Sequence, residues 1–322
     1  MALTFIGTDT DGFLAAASGD MVVVTATGRL SITGFADAFN FAAFTSVNLV
    51  VQGAIFAEDG DAVSSDVASA SLRVTVDAGG TVLGGSDGIE LNGNDHDVVN
   101  AGLVRGVGDA AVQLLGDGGS VINTGQLFGQ RGISIQGQDC DISNAGLIEA
   151  TGDTAGFGLG IEAGTGARID NSGTISASLT GVTFTDGACT LVNTGTIVGR
   201  NGPAVDASGE ADVVRNAGGI VGEIRLDGGD DLYVASRGGW VDGTVTGGEG
   251  ADLLTGASAD DLLSGGLGED RLRGRGGEDE LDGGDDRDAL AGGGGDDLLQ
   301  GGAANDVLRG GGGDDVLDGD GG

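Results

Sequence analysis

From Gly247 to Asp318 the chain runs as eight consecutive nonapeptides, each with an aspartate at its sixth place and a leucine at its eighth. The aspartates are Asp252, Asp261, Asp270, Asp279, Asp288, Asp297, Asp306 and Asp315; the leucines run from Leu254 to Leu317 at the same spacing. A glycine-rich half-turn ending in a carboxylate, followed by a short strand with one buried leucine, closes a flattened coil in two nonapeptides, so repeat n stacks on repeat n+2. Asp252, Asp270, Asp288 and Asp306 then line one edge, and Asp261, Asp279, Asp297 and Asp315 the other. Neighbouring coils lie about 4.8 Å apart. At that spacing like charges repel by several kcal/mol in a low dielectric, and one leucine per nine residues offers little to oppose them. A hard divalent cation resolves the conflict, because carboxylates and backbone carbonyls supply the six to eight oxygens that Ca²⁺ takes.

The carbonyls must turn toward the ion, which asks for glycine at the second and fourth places. Gly248, Gly250, Gly266, Gly268, Gly277, Gly284, Gly293, Gly295, Gly302, Gly311 and Gly313 stand there, and with the eight aspartates they form the candidate calcium-binding set. Pairing n with n+2 gives three ion positions on each edge. The second-place glycine is replaced by Ala257 and Arg275, and the fourth-place glycine by Ala259, Asp286 and Ala304, where a left-handed backbone carries a penalty. A merely soluble acidic tail would have no use for a leucine two places after every aspartate.

A second, looser repeat precedes the first. Asn100, Asn123, Asn144, Asn171, Asn193 and Asn216 each begin an Asn-x-Gly element, at separations of 23, 21, 27, 22 and 23 residues. An apolar residue lies two places before each: Val98, Val121, Ile142, Ile169, Leu191 and Val214. Short alternating pieces such as Ile89-Glu90-Leu91, Ile133-Ser134-Ile135 and Val182-Thr183-Phe184 read as strands, and about 22 residues holding two or three of them make one coil of a parallel β-solenoid. Stacked asparagines can pass amide hydrogen bonds from coil to coil, and asparagine tolerates the left-handed backbone of a sharp corner. The pattern predicts an all-β chain: an N-terminal cap over 1–44, a right-handed parallel β-helix over 45–226 and a calcium-binding parallel β-roll over 227–322.

The nonapeptides over 247–318 resemble the G-G-x-G-x-D-x-U-x repeat of calcium-binding RTX (repeats-in-toxin) proteins, and Leu226 to Leu232 looks like a degenerate first turn of the same kind. The resemblance implies a β-roll with Ca²⁺ between turns, folded outside the cell and disordered where calcium is scarce. It also implies bacterial export by a type I secretion apparatus without an N-terminal signal, in keeping with a start that lacks Lys and Arg and carries Asp9 and Asp11. The Asn-x-Gly coils resemble those of autotransporter passengers, adhesins and polysaccharide-active enzymes. The favoured reading is a secreted, non-catalytic, calcium-set scaffold for adhesion or surface assembly, with a cell-surface or extracellular polysaccharide as its ligand. The alternative is a polysaccharide lyase or epimerase.

Composition bears on both. Seventy glycines with one proline rule out collagen, and 39% apolar residues argue for a core. Fifty acids against fourteen arginines, with no lysine, leave a charge of −36. Nucleic acid and anionic membranes are poor partners for such a chain. Residues 227–322 hold 24 acids and 6 arginines, half the net charge in under a third of the length. The most apolar run, Phe41 to Ala57, is too short and polar for a membrane span. For an enzyme the inventory is thin: one Tyr, one His, and Arg105, Arg131, Arg168 and Arg200 at different places in their coils. Gly84 to Gly88 fits a nucleophile elbow, yet a strand follows where a helix is required. His96 reads as an exposed residue of the polar turn Asn92 to Asp97. Cys140 and Cys189 each fall four residues before an Asn, two coils apart, too far for a disulfide, so both are expected to be free thiols.

Overall fold

The computed structural model describes residues 2–5, 8–9, 21–32, 37–41, 46–65, 71–154, 156–236 and 238–321. Among them there is no helix, and every strand pairing is parallel with the strand one coil away. The fold is an all-β parallel β-solenoid with the RTX-like nonapeptides at its C-terminal end. The chain divides into two compact units, 1–169 with 173–179, and 170–172 with 180–322.

In the first unit each coil contributes one strand to each of three sheets. One coil comprises Asp97–Asn100, Leu103–Gly106 and Ala110–Leu114; the next comprises Ser120–Asn123, Gln126–Gly129 and Arg131–Ile135. Val98 stands opposite Val121, Val104 opposite Leu127, and Val112 opposite Ile133. All six are fully buried, so the interior is a thin aliphatic stack in which like sits on like. The segments expected as strands, Ile89–Leu91, Ile133–Ile135 and Val182–Phe184, are strands. Much of the expected cap over 1–44 lies outside the described residues. Within that span Ala2–Phe5 pairs with Met21–Val24, which pairs with Asn48–Val51.

The second unit begins with coils of the same three-sided kind, such as Val213–Asn216, Gly219–Val221 and Ile224–Arg225. Trp240–Asp242 is the last strand of the second sheet. From Leu253 onward a coil has two strands, one in the first sheet and one in the third, and the register advances by two nonapeptides: Leu272 is opposite Leu254 and Leu290, Leu281 opposite Leu263 and Leu299. The eighth-place leucines from Leu254 to Leu299 are buried, and they are the core of this part.

The asparagines form the expected ladder. In the first unit Asn100 donates to Asn123 Oδ1 at 2.8 Å and Asn123 to Asn144 Oδ1 at 2.8 Å. In the second, Asn171 donates to Asn193 and Asn193 to Asn216. None of these asparagines has a positive φ, so the left-handed corner expected of them is absent. In Asn100, Asn144, Asn193 and Asn216 the Oδ1 atom instead accepts the N–H two residues on, as in Gly102 to Asn100 at 3.0 Å, which makes the corner with ordinary dihedrals. The glycine of the motif is required by closeness: a Cβ on Gly125 would meet Gly102 O at 2.2 Å, and one on Gly146 would meet Gly125 O at 2.1 Å. Replacing Asn123 by Leu takes one hydrogen-bond partner from each of two buried amides, Asn100 and Asn144, and should cost about 1–3 kcal/mol, read as a lower urea midpoint. An unchanged midpoint would show that the ladder is dispensable.

Candidate calcium-binding turns

Each sixth-place aspartate sits one residue before a strand, with its side chain turned into the turn. All but Asp261 reach back to the preceding coil on their edge, six of them to another sixth-place aspartate. Asp270, Asp288 and Asp306 accept through Oδ1 the backbone N–H of Asp252, Asp270 and Asp288, at 2.7, 2.8 and 2.9 Å. On the other edge Asp279, Asp297 and Asp315 accept from Asp261, Asp279 and Asp297, at 2.9, 3.0 and 3.1 Å. The structure thus brings the predicted aspartates together in the two columns expected. The hydrogen bonds, which the repeat pattern did not foretell, fix the direction in which each carboxylate points.

One oxygen of each carboxylate is therefore held. The other, Oδ2, is buried and has no hydrogen-bond partner in Asp231, Asp252, Asp270, Asp279, Asp288, Asp297 and Asp306. A buried, unpartnered carboxylate oxygen is costly unless something positive meets it. A column of them, one per coil, is a ligand set of the oxygen chemistry that Ca²⁺ favours.

The glycines follow the same logic. Every second- and fourth-place glycine in the candidate set has a positive φ, from +94° at Gly302 to +139° at Gly313. Arg275, Asp286 and Ala304 adopt positive φ as well, at +82°, +74° and +83°, so the conformational penalty expected from the sequence is present at these three, whereas Ala257 and Ala259 have no positive φ and escape it. First-place glycines have a separate reason: a Cβ on Gly265 would meet Asp270 Oδ2 at 2.2 Å and fill the space the oxygen faces.

Burial raises the pKa values of Asp252, Asp261, Asp270, Asp279 and Asp288, and for the last three the neighbouring carboxylates of the column add to the rise. Asp270 is pushed up to about 7, and Asp279 and Asp288 to about 6. Asp252 and Asp261 move the same way, though in Asp261 the positive charge of Arg275 opposes the shift.

The first column also extends upstream. Asp252 Oδ1 accepts the Asp231 N–H at 2.8 Å, and Asp231 Oδ1 accepts that of Asp212 at 2.6 Å. The turn Leu226 to Asp231 has positive φ at its second and fourth places, Asp227 and Gly229, as the nonapeptides do. Asp231 Oδ2 is among the unpartnered oxygens, and burial with neighbouring charge drives Asp231 to about 8. At Asp212 the pattern stops, because both its oxygens have backbone partners, Cys189 N–H on Oδ1 and Ser208 N–H on Oδ2.

The family model for RTX calcium-binding nonapeptide repeats matches in four copies, over 237–272, 255–290, 264–299 and 291–322. The C-terminal segment is made of RTX repeats. No curated protein and no solved structure matches the chain. The RTX repeats bind Ca²⁺, and they stand at the C-terminal end of a parallel β-solenoid. The matched copies begin after Asp231, so the upstream turn lies outside them.

The remaining candidates fare differently. His96 is buried, not exposed: Nδ1 accepts the Leu72 N–H at 3.0 Å, and Nε2 lies 3.0 Å from Asn92 O. It occupies the corner position one residue before a first-sheet strand, where side chains point inward, and burial lowers its pKa. With both ring nitrogens on backbone groups it has no free base to offer, and Ser86 of the elbow-like motif donates to Asp87 Oδ2 instead. Arg105, Arg131 and Arg168 fall in strands of three different sheets. Arg131 is held between Asp109 at 2.6 Å and Glu162 at 2.8 Å. Neither Cys140 nor Cys189 is in a disulfide, both are buried, and burial raises the Cys140 thiol. A further acidic group, Asp61, Asp87 and Glu90, lies in the first unit with its oxygens within 4.8 Å of one another. Asp61 accepts the Asp87 N–H and Asp87 accepts that of Ala110, so backbone donors already serve these two aspartates.

Proposed function

We propose that the protein is a secreted, non-catalytic scaffold whose RTX coils fold when extracellular Ca²⁺ enters the aspartate columns, and whose β-helix presents a surface for adhesion to a polysaccharide. The single observation that carries the calcium part is the row of buried, unpartnered Oδ2 atoms, one per coil. Asp252, Asp270, Asp288 and Asp306 would hold ions on one edge and Asp279, Asp297 and Asp315 on the other, with the positive-φ glycines turning their carbonyls inward. When bound, the ion supplies charge neutralisation between coils. Because it binds the coiled form far better than the unfolded one, it acts as a folding switch. RTX repeats are typical of secreted bacterial proteins, and a fold set by calcium suits a compartment where calcium is plentiful. The type I secretion apparatus is the proposed export partner.

By the same criterion Asp231 belongs to the ligand set. Asp231→Asn is expected to lower the number of calcium ions seen by native mass spectrometry of the full chain by one. An unchanged number would remove that turn from the column. For the adhesive role, the calcium-loaded protein is expected to bind polysaccharides on a glycan array and to lose them in chelator. Release of unsaturated sugar products from alginate or pectin would overturn it in favour of a lyase.

A further inference from the structure

One turn departs from all the others. In the repeat 256–264 the second and fourth places are Ala257 and Ala259, and neither has a positive φ. The first-sheet strand leading into it, Leu253–Thr255, has three residues, whereas Arg271–Gly276, Ala289–Gly294 and Val307–Gly312 each have six. The Ala257 N–H turns back and donates to Asp261 Oδ2 at 2.7 Å. Asp261 is consequently the one sixth-place aspartate from Asp252 to Asp306 whose Oδ2 is not orphaned.

That rearrangement strands a carbonyl. In the three-sided coils the N–H after a strand of this sheet donates to the last carbonyl of the strand one coil earlier, as Ser236 does to Asn216 O at 2.8 Å, and Leu253 likewise donates to Asp231 O at 2.9 Å, so that alternate N–H groups from Leu253 onward face the earlier coil. By that register Ala257 N–H is the partner of Ala235 O, but Asp261 has taken it. The donor comes from the other side: Arg275 Nη1 lies 2.8 Å from Ala235 O and 3.1 Å from Gly256 O. Arg275 stands at the second place of the next repeat on the same edge, where the pattern has glycine, and holds φ +82° to do so. A side chain there carries a backbone penalty. Its guanidinium brings a fixed positive charge and several donors to the turn carrying Asp261, which is where the first ion of this edge would lie.

We propose that Arg275 takes the place of the first calcium ion on the edge of Asp261, Asp279, Asp297 and Asp315, so that this edge binds calcium only from Asp279 onward. The inference rests on the calcium reading of the columns. Its physical content is that the coil joining the three-sided stack to the two-sided one is closed by a cation the chain carries itself, independent of external calcium.

Native mass spectrometry of the full chain at saturating Ca²⁺ tests it. Asp261→Asn is expected to leave the ion number unchanged, while Asp297→Asn lowers it by at least one. The triple variant Ala257→Gly, Ala259→Gly, Arg275→Gly is expected to gain one ion, and Arg271→Gln, which removes a nearby exposed charge, to gain none. Loss of an ion in Asp261→Asn overturns the proposal whether or not the triple variant folds, as does a folded triple variant with no extra ion. A wild-type chain that holds no calcium at all would overturn the calcium reading itself, a result distinct from either.

Discussion

Removing calcium from the full chain at pH 7 should unfold the RTX coils, and acidifying the same chelated sample should fold them again. Two buried columns of carboxylates about one strand spacing apart cannot all stay ionised in a compact form without a cation. Protons are the alternative to calcium. Burial has pushed Asp270 up to about 7, Asp279 and Asp288 to about 6, and Asp231 to about 8, against an unfolded value near 4. For a carboxylate whose folded pKa is raised, the folded form binds the extra proton. Stability is then fully present below about pH 4 and lost as pH rises through the folded values, between about 4 and 8. A tenfold difference in proton affinity between folded and unfolded forms is worth about 1.4 kcal/mol, so each raised aspartate, Asp231, Asp270 and Asp288 on one edge and Asp279 on the other, favours the folded form at low pH. Circular dichroism and sedimentation should show β signal and compactness lost on adding EDTA at pH 7, regained with millimolar Ca²⁺, and regained in EDTA near pH 4.5. Calcium binding should release protons, and its affinity should fall from pH 7 to pH 5. The Asn-ladder coils have an aliphatic core and neutral hydrogen bonds, so part of the β signal should persist in EDTA. Identical spectra and sedimentation with and without chelator at pH 7 would refute the switch.

The nonapeptides were legible because their chemistry recurs at a fixed interval: once two repeats close a coil, columns, edges and register follow from counting. Counting at a fixed interval marks the turn around Asp231 only as a degenerate repeat and does not place Asp231 or Asp212 in the column, because they are linked to the next column member at separations of 21 and 19 residues rather than 18. Three-sided coils vary in length, so a fixed period cannot reach them, although Gly228-Gly229-Asp230-Asp231 repeats the motif locally. His96 misled because its neighbours Asn92 to Asp97 are polar. Its position is that of Cys140, Cys189 and Asp212, one residue before a first-sheet strand, and position within the coil outweighs local composition. Arg275 was visible only as a departure from glycine. Its partner Ala235 is 40 residues upstream and its role depends on where the second sheet ends, which no local pattern encodes.

Gly268→Ala should be among the most damaging single changes in the RTX coils, at about 3 kcal/mol or more, read from the urea midpoint in saturating calcium. Gly268 holds φ +121°, and a Cβ there would meet the backbone oxygen of Gly250 at 2.0 Å, so the coil beneath must move as well as the turn itself. Gly294, with no neighbouring atom within 4 Å of a built Cβ and no positive φ, is the control, and Gly294→Ala should change stability by less than about 1 kcal/mol. The chain's own exceptions show how far a turn can yield. Arg275, Asp286 and Ala304 settle between +74° and +83°, close to the left-handed region that a side chain can occupy, while the glycines lie between +94° and +139°. A side chain at these places therefore pulls the turn some tens of degrees away from the conformation the glycines adopt. The reverse change, Ala304→Gly, should gain about 1 kcal/mol by removing that constraint. Equal midpoints for Gly268→Ala and Gly294→Ala would mean that glycine here supplies composition only, and that the carbonyl orientation on which calcium binding depends is set by something else.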